Sequence, residues 1–474
     1  MAFSSSEQLA LEDWDAVETV ARIRARDVSA SEVIDAAIAR AEAAAGLGAV
    51  ASECFDRARA DARALGGSSA PLAGVPTFVK DLAQLAGVRT RWGSMASGSF
   101  VSKKSDPFVS HLRDTGVVYL GKSAAPEFGL TATTEPIGQS PCRNPWNPEH
   151  SAGGSSGGAA SLVAAGVVPI AHASDGGGSI RIPASVCGLV GLKPSRHRMD
   201  MEGSAMLPVN LATDGVVTRT VRDTVAFYSA IESIHPPRRV PAIAALRARP
   251  PRLRVAVFTG SPLGRPVHAD AIAAAQGAAR KCEALGHSVE EIPPPFEGEV
   301  LEDFLKYWGF LAFLQTRTAR VMLHRGFDTS RFEPLSQHMS RYFTSQPRAV
   351  FTSIRRLRRF PERYAEVMRR YDVMICPTVA AAPPKLGHLA TDLPFDTMFD
   401  RLKTYVPFTP LANAAGAPAI SLPLGRSAEG LPLGVQFAAK YGDERTLLEL
   451  ATELEAAHPW PRTAPRQVAQ RAGR

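Results

Sequence analysis

The chain has 474 residues, 45% of them hydrophobic and 21% charged, which is ordinary for a globular enzyme and excludes a disordered or fibrous chain. Because one hydrophobic core usually stops growing near roughly 250–300 residues, we expect a large elaborated domain or two closely packed halves. The longest apolar stretch, residues 162–173, is interrupted by Gly166 and Pro169. It is shorter than the about 20 residues that span a bilayer, so no membrane partner is expected.

Charge and cysteine content exclude further classes. The formal net charge is +8, but the basic residues concentrate within residues 355–370, where Glu362 and Glu366 interrupt them. This pattern is typical of a solvated helix face, so we expect no nucleic-acid partner. Five scattered cysteines without a C-x-x-C pair argue against a disulfide framework or a structural zinc site. No H-E-x-x-H motif is present, so neither a metal nor another cofactor is expected.

The N-terminal segment carries acidic residues at positions 12, 13, 15 and 18, where a signal peptide needs positive charge, so we expect a cytoplasmic location. The first forty residues predict two helices, and Ser29 with Glu32 three positions later predicts a capping box for the second. Beyond residue 47, short apolar runs predict strands at 75–79, 117–120, 167–171, 253–258, 373–376, 417–422 and 433–437. Helical patterns predict helices at 106–114, 159–165, 221–231, 269–285 and 444–456.

The alternation of strands and helices predicts an α/β sheet covered by helices on both faces. Residues 299–370 read as mostly helical, and we interpret them as an insertion over the sheet. The Pro- and Arg-rich residues 236–251 indicate a surface connection.

Glycine and serine are densest between Gly153 and Ser179. Three glycines directly before Ser179 let backbone N–H groups converge without interference from Cβ atoms, and such a nest can hold an oxyanion. A serine at its end is placed to attack a carbonyl whose oxygen lies in that nest. The serine also needs a base, and His172, in an apolar strand, reads as a core residue. Lys80 ends an apolar run, so burial can depress its pKa and leave it neutral. Ser155 or Ser156 would then relay the proton.

At these residues the sequence resembles the amidase signature family of Ser–Ser–Lys hydrolases, and most closely its aryl acylamidase, cyclic or oligomeric amide hydrolase and urethanase-type members. The shared elements are, in order, Gly74-Val75-Pro76 through Lys80-Asp81, Gly121-Lys122 through Pro126-Glu127-Phe128-Gly129, Asn144-Pro145-Trp146-Asn147, Gly153 through Gly158, Gly178-Ser179-Ile180-Arg181-Ile182-Pro183-Ala184, and Gly191-Leu192-Lys193-Pro194-Ser195. Six elements in order are far more specific than one glycine motif. The resemblance implies a mixed central sheet and a single amidase domain over residues 1–474, with a catalytic core at about 70–235.

The resemblance also implies a role for each site residue. Ser179 is the nucleophile, Lys80 the general base, and Ser155, after a cis peptide from Gly154, the bridging serine. The backbone N–H groups of Gly176, Gly177, Gly178 and Ser179 form the oxyanion hole. Asp175 and Arg181 are supporting charges, although a purely structural ion pair is an equal interpretation. The implied reaction is acyl transfer through an acyl-enzyme.

Other interpretations of the glycine-serine run are weaker. A flexible linker conflicts with the structured patterns on both sides, and a phosphate loop lacks its Gly-Lys-Ser/Thr ending. Gly154 to Gly158 fits G-x-S-x-G, the nucleophile elbow of an α/β-hydrolase esterase with Ser156 as nucleophile. An elbow follows a strand, however, and residues 144–152 read as loop. A non-catalytic scaffold would not need all three triad residues, and nothing marks the chain as the amidase subunit of a larger assembly.

The substrate is expected to be a small amide, carbamate (urethane) or ester with neutral, apolar or aromatic groups. We expect its channel to be lined by residues of two segments, namely Phe304, Tyr307, Trp308, Phe310 and Phe313, and Met199, Met201, Met206 and Leu207. The run Thr133 to Pro136 is similar to members that act on aryl, cyclic or oligomeric amides. Departures from the family pattern at Ala124-Ala125 and at Arg196-His197 leave the pocket shape open.

Overall fold

The computed structural model describes residues 13–199 and 207–465. Its helices are α1 (Ala16–Ala25), α2 (Ala30–Ala43), α3 (Phe55–Ala64), α4 (Pro107–Asp114), α5 (Gly157–Ala164), α6 (Arg181–Cys187), α7 (Val221–Ile234), α8 (Ala269–Ala284), α9 (Glu299–Met322), α10 (Pro334–Thr344), α11 (Pro347–Val367), α12 (Phe395–Tyr405), α13 (Pro410–Ala415) and α14 (Glu444–Ala457). Its strands are β1 (Val50–Glu53), β2 (Pro76–Lys80), β3 (Val118–Ser123), β4 (Arg143–Asn144), β5 (Asn147–Ser151), β6 (Ile170–Asp175), β7 (Val190–Lys193), β8 (Thr213–Thr218), β9 (Arg254–Val257), β10 (Ser288–Glu291), β11 (Val373–Pro377), β12 (Ala419–Arg426) and β13 (Pro432–Ala439). No helix in these ranges is long and apolar enough to cross a membrane.

The two predicted N-terminal helices are present as α1 and α2. The capping box that starts α2 is complete, because the Ser29 hydroxyl accepts the Glu32 N–H at 3.2 Å and the Glu32 carboxylate accepts the Ser29 N–H at 2.8 Å. The local sequence signal therefore fixes where this helix begins.

The central sheet has eight strands in the order β10-β9-β11-β13-β12-β7-β8-β6. The pairs β10/β9 and β9/β11 are parallel, whereas the remaining pairs are antiparallel. Helices flank this mixed sheet on both faces, which confirms the predicted fold class. A second sheet, β1-β3-β2, places β2 beside the edge strand β6.

Several strands differ from the sequence prediction. Strand β6 lies three to four residues beyond the predicted 167–171, because Val167 and Val168 are buried but do not pair with a neighbouring strand. Strands β7 and β8 were not predicted, since both contain a glycine and neither has a long apolar run. The interpretation of residues 144–152 as loop is wrong, because Asn147–Ser151 pairs with Arg143–Asn144 in a small hairpin.

The segment after β10 folds into α9, α10 and α11, which contain four of the eight buried aromatic residues of a second hydrophobic cluster. On α11 the side chains of Leu357, Phe360 and Tyr364 are buried, at a spacing of three and four residues. The arginines between them are exposed, and Arg356 pairs with Glu299 at 2.9 Å. The basic stretch is thus the solvated face of an amphipathic helix.

A buried ion pair holds β2 and β3 together next to the end of β2. Lys122 Nζ lies 2.9 Å from Asp81 Oδ1, and both side chains are almost fully buried. Lys122 also donates to the Thr90 hydroxyl at 3.0 Å, and Asp81 accepts the backbone N–H of Arg91 at 3.1 Å. The pair is therefore hydrogen-bonded on both sides, as a buried pair must be.

We predict that Lys122→Met lowers the free energy of unfolding by about 3–5 kcal/mol, because Asp81 is left as an uncompensated buried charge. The matched control is Lys440→Met, which removes a half-exposed lysine 3.5 Å from Asp372 and is expected to cost less than about 1 kcal/mol. Denaturant unfolding of the two variants measures both effects, and equal losses would contradict the prediction.

Candidate active site

Lys80 is the last residue of β2, and its side chain is fully buried. Its amine Nζ donates to Ser155 Oγ at 2.8 Å and to Ser174 Oγ at 3.0 Å. Burial lowers the pKa of Lys80 to about 7, while the charges of Asp175 and Asp214 act in the opposite direction. A substantial fraction of this amine is therefore neutral near pH 7 and able to accept a proton.

Ser155 follows a cis peptide bond from Gly154, as the family resemblance implied. Gly154 has no room for a side chain, because a Cβ atom there would lie 2.5 Å from the carbonyl oxygen of Thr133. This close approach of two backbones fixes Ser155 with its hydroxyl toward Lys80, and leaves the serine only 2% exposed.

The glycine loop between β6 and α6 is organised by one carboxylate. Asp175, at the end of β6, accepts the backbone N–H of Gly178 at 2.7 Å and that of Ile180 at 3.1 Å. Gly178 has φ +132° and a Cβ atom there would lie 2.3 Å from Thr409 Oγ1, so only glycine fits. The loop thus delivers Ser179 in one backbone conformation.

The bond from Gly178 corrects one sequence expectation, since its N–H is used inside the loop and is not available to a ligand. Among the described residues, the N–H groups of Gly176, Gly177 and Ser179 make no hydrogen bond. These three N–H groups are therefore available to donate hydrogen bonds to an oxyanion.

Arg181 begins α6 and is fully buried. Its guanidinium donates to Asp175 Oδ1 at 2.9 Å, to the Thr409 carbonyl at 2.9 Å, and to the amide oxygens of Gln436 and Asn413 at 2.6 Å each. Burial alone would raise the pKa of Asp175, but the charge and hydrogen bonds of Arg181 hold it below its usual range. The two residues form an ion pair that anchors the loop.

Ser179 is 8% exposed and lines a cleft, whereas Lys80 and Ser155 are more deeply buried and do not line it. Within the described chain its hydroxyl makes no hydrogen bond, so the structure joins Lys80 to Ser155 but not Ser155 directly to Ser179. Ser156, the alternative nucleophile, is fully buried, and its hydroxyl donates to the Ser174 carbonyl and accepts the Ser174 N–H at 3.3 Å each. It does not line the cleft.

The cleft contains about 590 Å³ of atom-free space, part of it open to solvent. Its walls combine Ser179 and Gly177 with side chains from five other segments, namely Leu130, Thr131, Ala132, Leu263, Leu301, Phe304, Leu305, Trp308, Leu402, Lys403, Val406 and Pro410. Lys403 is the one charged side chain among the lining residues that the structure describes. The cleft is therefore mainly apolar.

Phe304 and Trp308 of α9 stack on each other, with ring centroids 5.4 Å apart. Their rings lie 3.0 Å from the positions that Cβ atoms would take at Gly177 and Gly176, respectively. The aromatic pair therefore packs directly on the glycine loop. Trp308 is fixed there by its indole N–H, which donates to the Leu130 carbonyl at 3.2 Å.

The other residues expected to line a channel lie elsewhere. The Tyr307 hydroxyl is buried against the backbone of Val209, and Phe310 and Phe313 pack on Phe343. Met199 belongs to the main core, Leu207 does not line the cleft, and Met201 and Met206 lie outside the described residues. The leucines and Val406 were missed because they come from separate segments, and only the fold brings them together.

Comparisons with known proteins agree with this arrangement. The family model Amidase matches residues 32–448. The putative amidase AmiC of Mycobacterium tuberculosis is 44% identical over 467 residues, which cover 97% of this chain and 98% of that protein. The solved structure of a 6-aminohexanoate cyclic dimer hydrolase complexed with substrate has a TM-score of 0.87 and 32% identity, and the match covers 97% of this chain and 99% of that one.

A bacterial aryl acylamidase of the amidase signature enzymes has a TM-score of 0.80 and 26% identity, with 97% of this chain and 99% of that chain covered. Both the family model and the relatives extend over nearly the whole sequence, and they include the segments that carry the serines and the lysine. The chain therefore belongs to the amidase signature family and is an enzyme that cleaves amide bonds.

Proposed function

We propose that the chain hydrolyses amides through an acyl-enzyme on Ser179, with Ser155 and Lys80 handling the proton. The observation that carries this proposal is the 2.8 Å contact between Ser155 and a fully buried lysine whose pKa is about 7. A lysine that is neutral near pH 7 is a suitable general base, whereas an exposed lysine is not.

In the first step Ser179 Oγ attacks the carbonyl carbon, and its proton passes through the Ser155 hydroxyl to the amine of Lys80. A rotation of the Ser179 side chain or one bridging water completes this relay. The carbonyl oxygen becomes an oxyanion, which the N–H groups of Gly176, Gly177 and Ser179 stabilise. Such donors are effective because they are already oriented before the charge develops.

The tetrahedral intermediate then collapses. The carbon–nitrogen bond breaks, and the relay returns its proton to the leaving nitrogen, so that a neutral amine departs. A water molecule next attacks the Ser179 ester while the same relay accepts its proton. The carboxylic acid leaves, and Ser179 recovers its hydroxyl.

For the substrate we propose apolar or aryl amides, with aryl carbamates and esters as further substrates. The stacked Phe304 and Trp308 next to the glycine loop support this, because an apolar group bound beside Ser179 would lie against their rings. The names of two structural relatives, a cyclic amide hydrolase and an aryl acylamidase, point the same way. An esterase based on Ser156 is disfavoured, because that hydroxyl is buried and engaged.

Fluorophosphonate labelling tests the nucleophile. We predict that Ser179→Ala abolishes both labelling and turnover, because the reacting oxygen is removed, while circular dichroism shows a folded protein. Ser156→Ala is the matched control and is expected to retain labelling. A labelled Ser179→Ala protein, or loss of labelling only in Ser156→Ala, would contradict the assignment. Turnover by the purified chain alone would also contradict an obligatory role as a subunit of a larger assembly.

The pH dependence tests the base. Because Lys80 must be neutral, kcat/KM is expected to rise with pH, with a midpoint at about 7. Lys80→Met should remove nearly all activity. Lys193 supplies the matched control, since it is another fully buried lysine whose pKa burial lowers to about 7. Lys193→Met should keep the fall in kcat/KM toward low pH, which is the acidic limb of the profile. Loss of this limb in Lys193→Met alone would show that Lys193, and not Lys80, is the titrating base.

A substrate series tests the cleft. We predict that kcat/KM is higher for an acyl anilide and an aryl carbamate than for acetamide or a positively charged amide. Trp308→Ala should lower kcat/KM for the anilide by about tenfold or more, through lost apolar contact. Phe310→Ala on the same helix removes an aromatic ring that does not line the cleft, and a much smaller effect is expected. Acetamide as the best substrate would refute the apolar cleft.

A further inference from the structure

His172 belongs to the edge strand β6, next to Lys80 at the end of β2, and is 1% exposed. Its Nδ1 accepts the backbone N–H of Lys80 at 3.2 Å. Its Nε2 lies 3.0 Å from Oδ1 of Asp214, on the neighbouring strand β8. A continuous chain of hydrogen bonds thus runs from Asp214 through His172 to the backbone of Lys80.

These contacts determine the tautomer of His172. Because Nδ1 accepts a backbone N–H, it carries no proton, so the ring is neutral with its proton on Nε2. The Nε2–H then donates to the carboxylate of Asp214. A protonated ring would place a second N–H against the N–H of Lys80 and lose that bond. The ring therefore holds the backbone of Lys80 in a fixed position relative to Asp214 and adds no charge.

The pleat of β6 explains why two of its residues reach the same lysine. His172 and Ser174 are two positions apart, so their side chains share one face of the strand. His172 holds the backbone of Lys80, while the Ser174 hydroxyl accepts from Nζ at 3.0 Å. Asp214 is the registered partner of Ser174 on β8, which brings its carboxylate within reach of the ring.

We propose that Asp214 and His172 form a positioning pair that orients Lys80 and adjusts the charge environment of its amine. This inference rests on the proposed role of Lys80 as general base. Neither residue lines the cleft, so the pair acts through Lys80 and not on the substrate.

The charges around Lys80 set the sign of the expected effect. The acids that act on it are Asp175, at the end of β6, and Asp214 on β8, and both raise the pKa of its amine against the effect of burial. Ser155, Ser174 and the neutral ring of His172 add no charge. Removing the charge of Asp214 therefore lowers the pKa of Lys80, and the acidic limb of kcat/KM moves to lower pH.

The molecule contains a matched control for this pair. His287 is also buried, its Nδ1 accepts the backbone N–H of Leu253 at 3.0 Å, and its Nε2 lies 3.3 Å from Oε2 of Glu453. The same order of backbone N–H, imidazole and carboxylate therefore occurs away from the cleft, although among the described residues the imidazole and the carboxylate are at ion-pair distance there and are not hydrogen-bonded. A purely structural role would give both pairs the same consequences.

The experiment compares pH profiles of kcat/KM for Asp214→Asn and Glu453→Gln with that of the unaltered enzyme, on one acyl anilide. Asn keeps an oxygen that accepts from His172, so folding should be retained, and a thermal melt checks this. We expect the acidic limb of Asp214→Asn to shift down by about 0.5 pH unit or more, because an opposing charge is lost. Glu453→Gln should leave the limb in place. An unshifted limb in folded Asp214→Asn, or an equal shift in both variants, overturns the proposal.

Substitution of the ring separates its two contacts. His172→Asn retains an acceptor close to the position of Nδ1, whereas His172→Gln retains a donor close to the position of Nε2. We expect the Gln variant to lose more of kcat, by about tenfold or more, because Lys80 loses its backbone anchor. Equal kcat in both variants and the unaltered enzyme contradicts the positioning role. A failed base assignment looks different, because the unaltered enzyme would then lack an acidic limb near pH 7 or Lys80→Met would stay active.

Discussion

The buried ion pair between Asp175 and Arg181 is the interaction on which the site depends. Asp175 uses its carboxylate to hold the backbone of the glycine loop, and Arg181 keeps that carboxylate ionised in a fully buried position. Arg181 is bound in turn by side chains and carbonyls near the C-terminal end, among them Asn413 and Gln436. Segments more than two hundred residues apart thereby fix where Ser179 lies, and removal of either charge would leave its partner buried and unpaired.

The role that we propose for Lys80 requires an amine that is partly neutral near pH 7 although it lies near two carboxylates. Burial lowers the pKa of Lys80, and Asp175 and Asp214 limit how far it falls. Either effect alone would give a poor base, since an exposed lysine stays charged and a buried one without nearby acids would be too weak to accept the proton. Asp175 thus holds the glycine loop and also raises the pKa of the Lys80 amine. The conformation of Ser179 and the basicity of Lys80 are therefore coupled.

The sequence predicted the parts of the proposed site that depend on close backbone approach. Glycines at 154 and 178 are required where a Cβ atom would meet Thr133 or Thr409, and this leaves a visible motif. The burial of Lys80 was also predictable, because it ends an apolar strand. His172 was interpreted as a core residue and Asp214 was not noticed, since their link to Lys80 arises only when β2 lies beside β6. The cleft was predicted least well: Met199 is core, and leucines from separate segments line it instead.

The glycine loop lies between the residues that we propose carry out the chemistry and the aromatic pair of the cleft. Within the described chain the N–H groups of Gly176 and Gly177 make no hydrogen bond, and the missing side chains of these two glycines leave room for the rings of Trp308 and Phe304. Those rings belong to α9, outside the segments that carry Lys80, Ser155 and Ser179. A change in α9 therefore alters the surface that a substrate contacts without changing the residues that we propose move its protons. The reverse does not hold, because a Cβ atom at Gly176 or Gly177 would lie 3.0 Å from the ring of Trp308 or Phe304, respectively, next to the N–H groups that we propose stabilise the oxyanion.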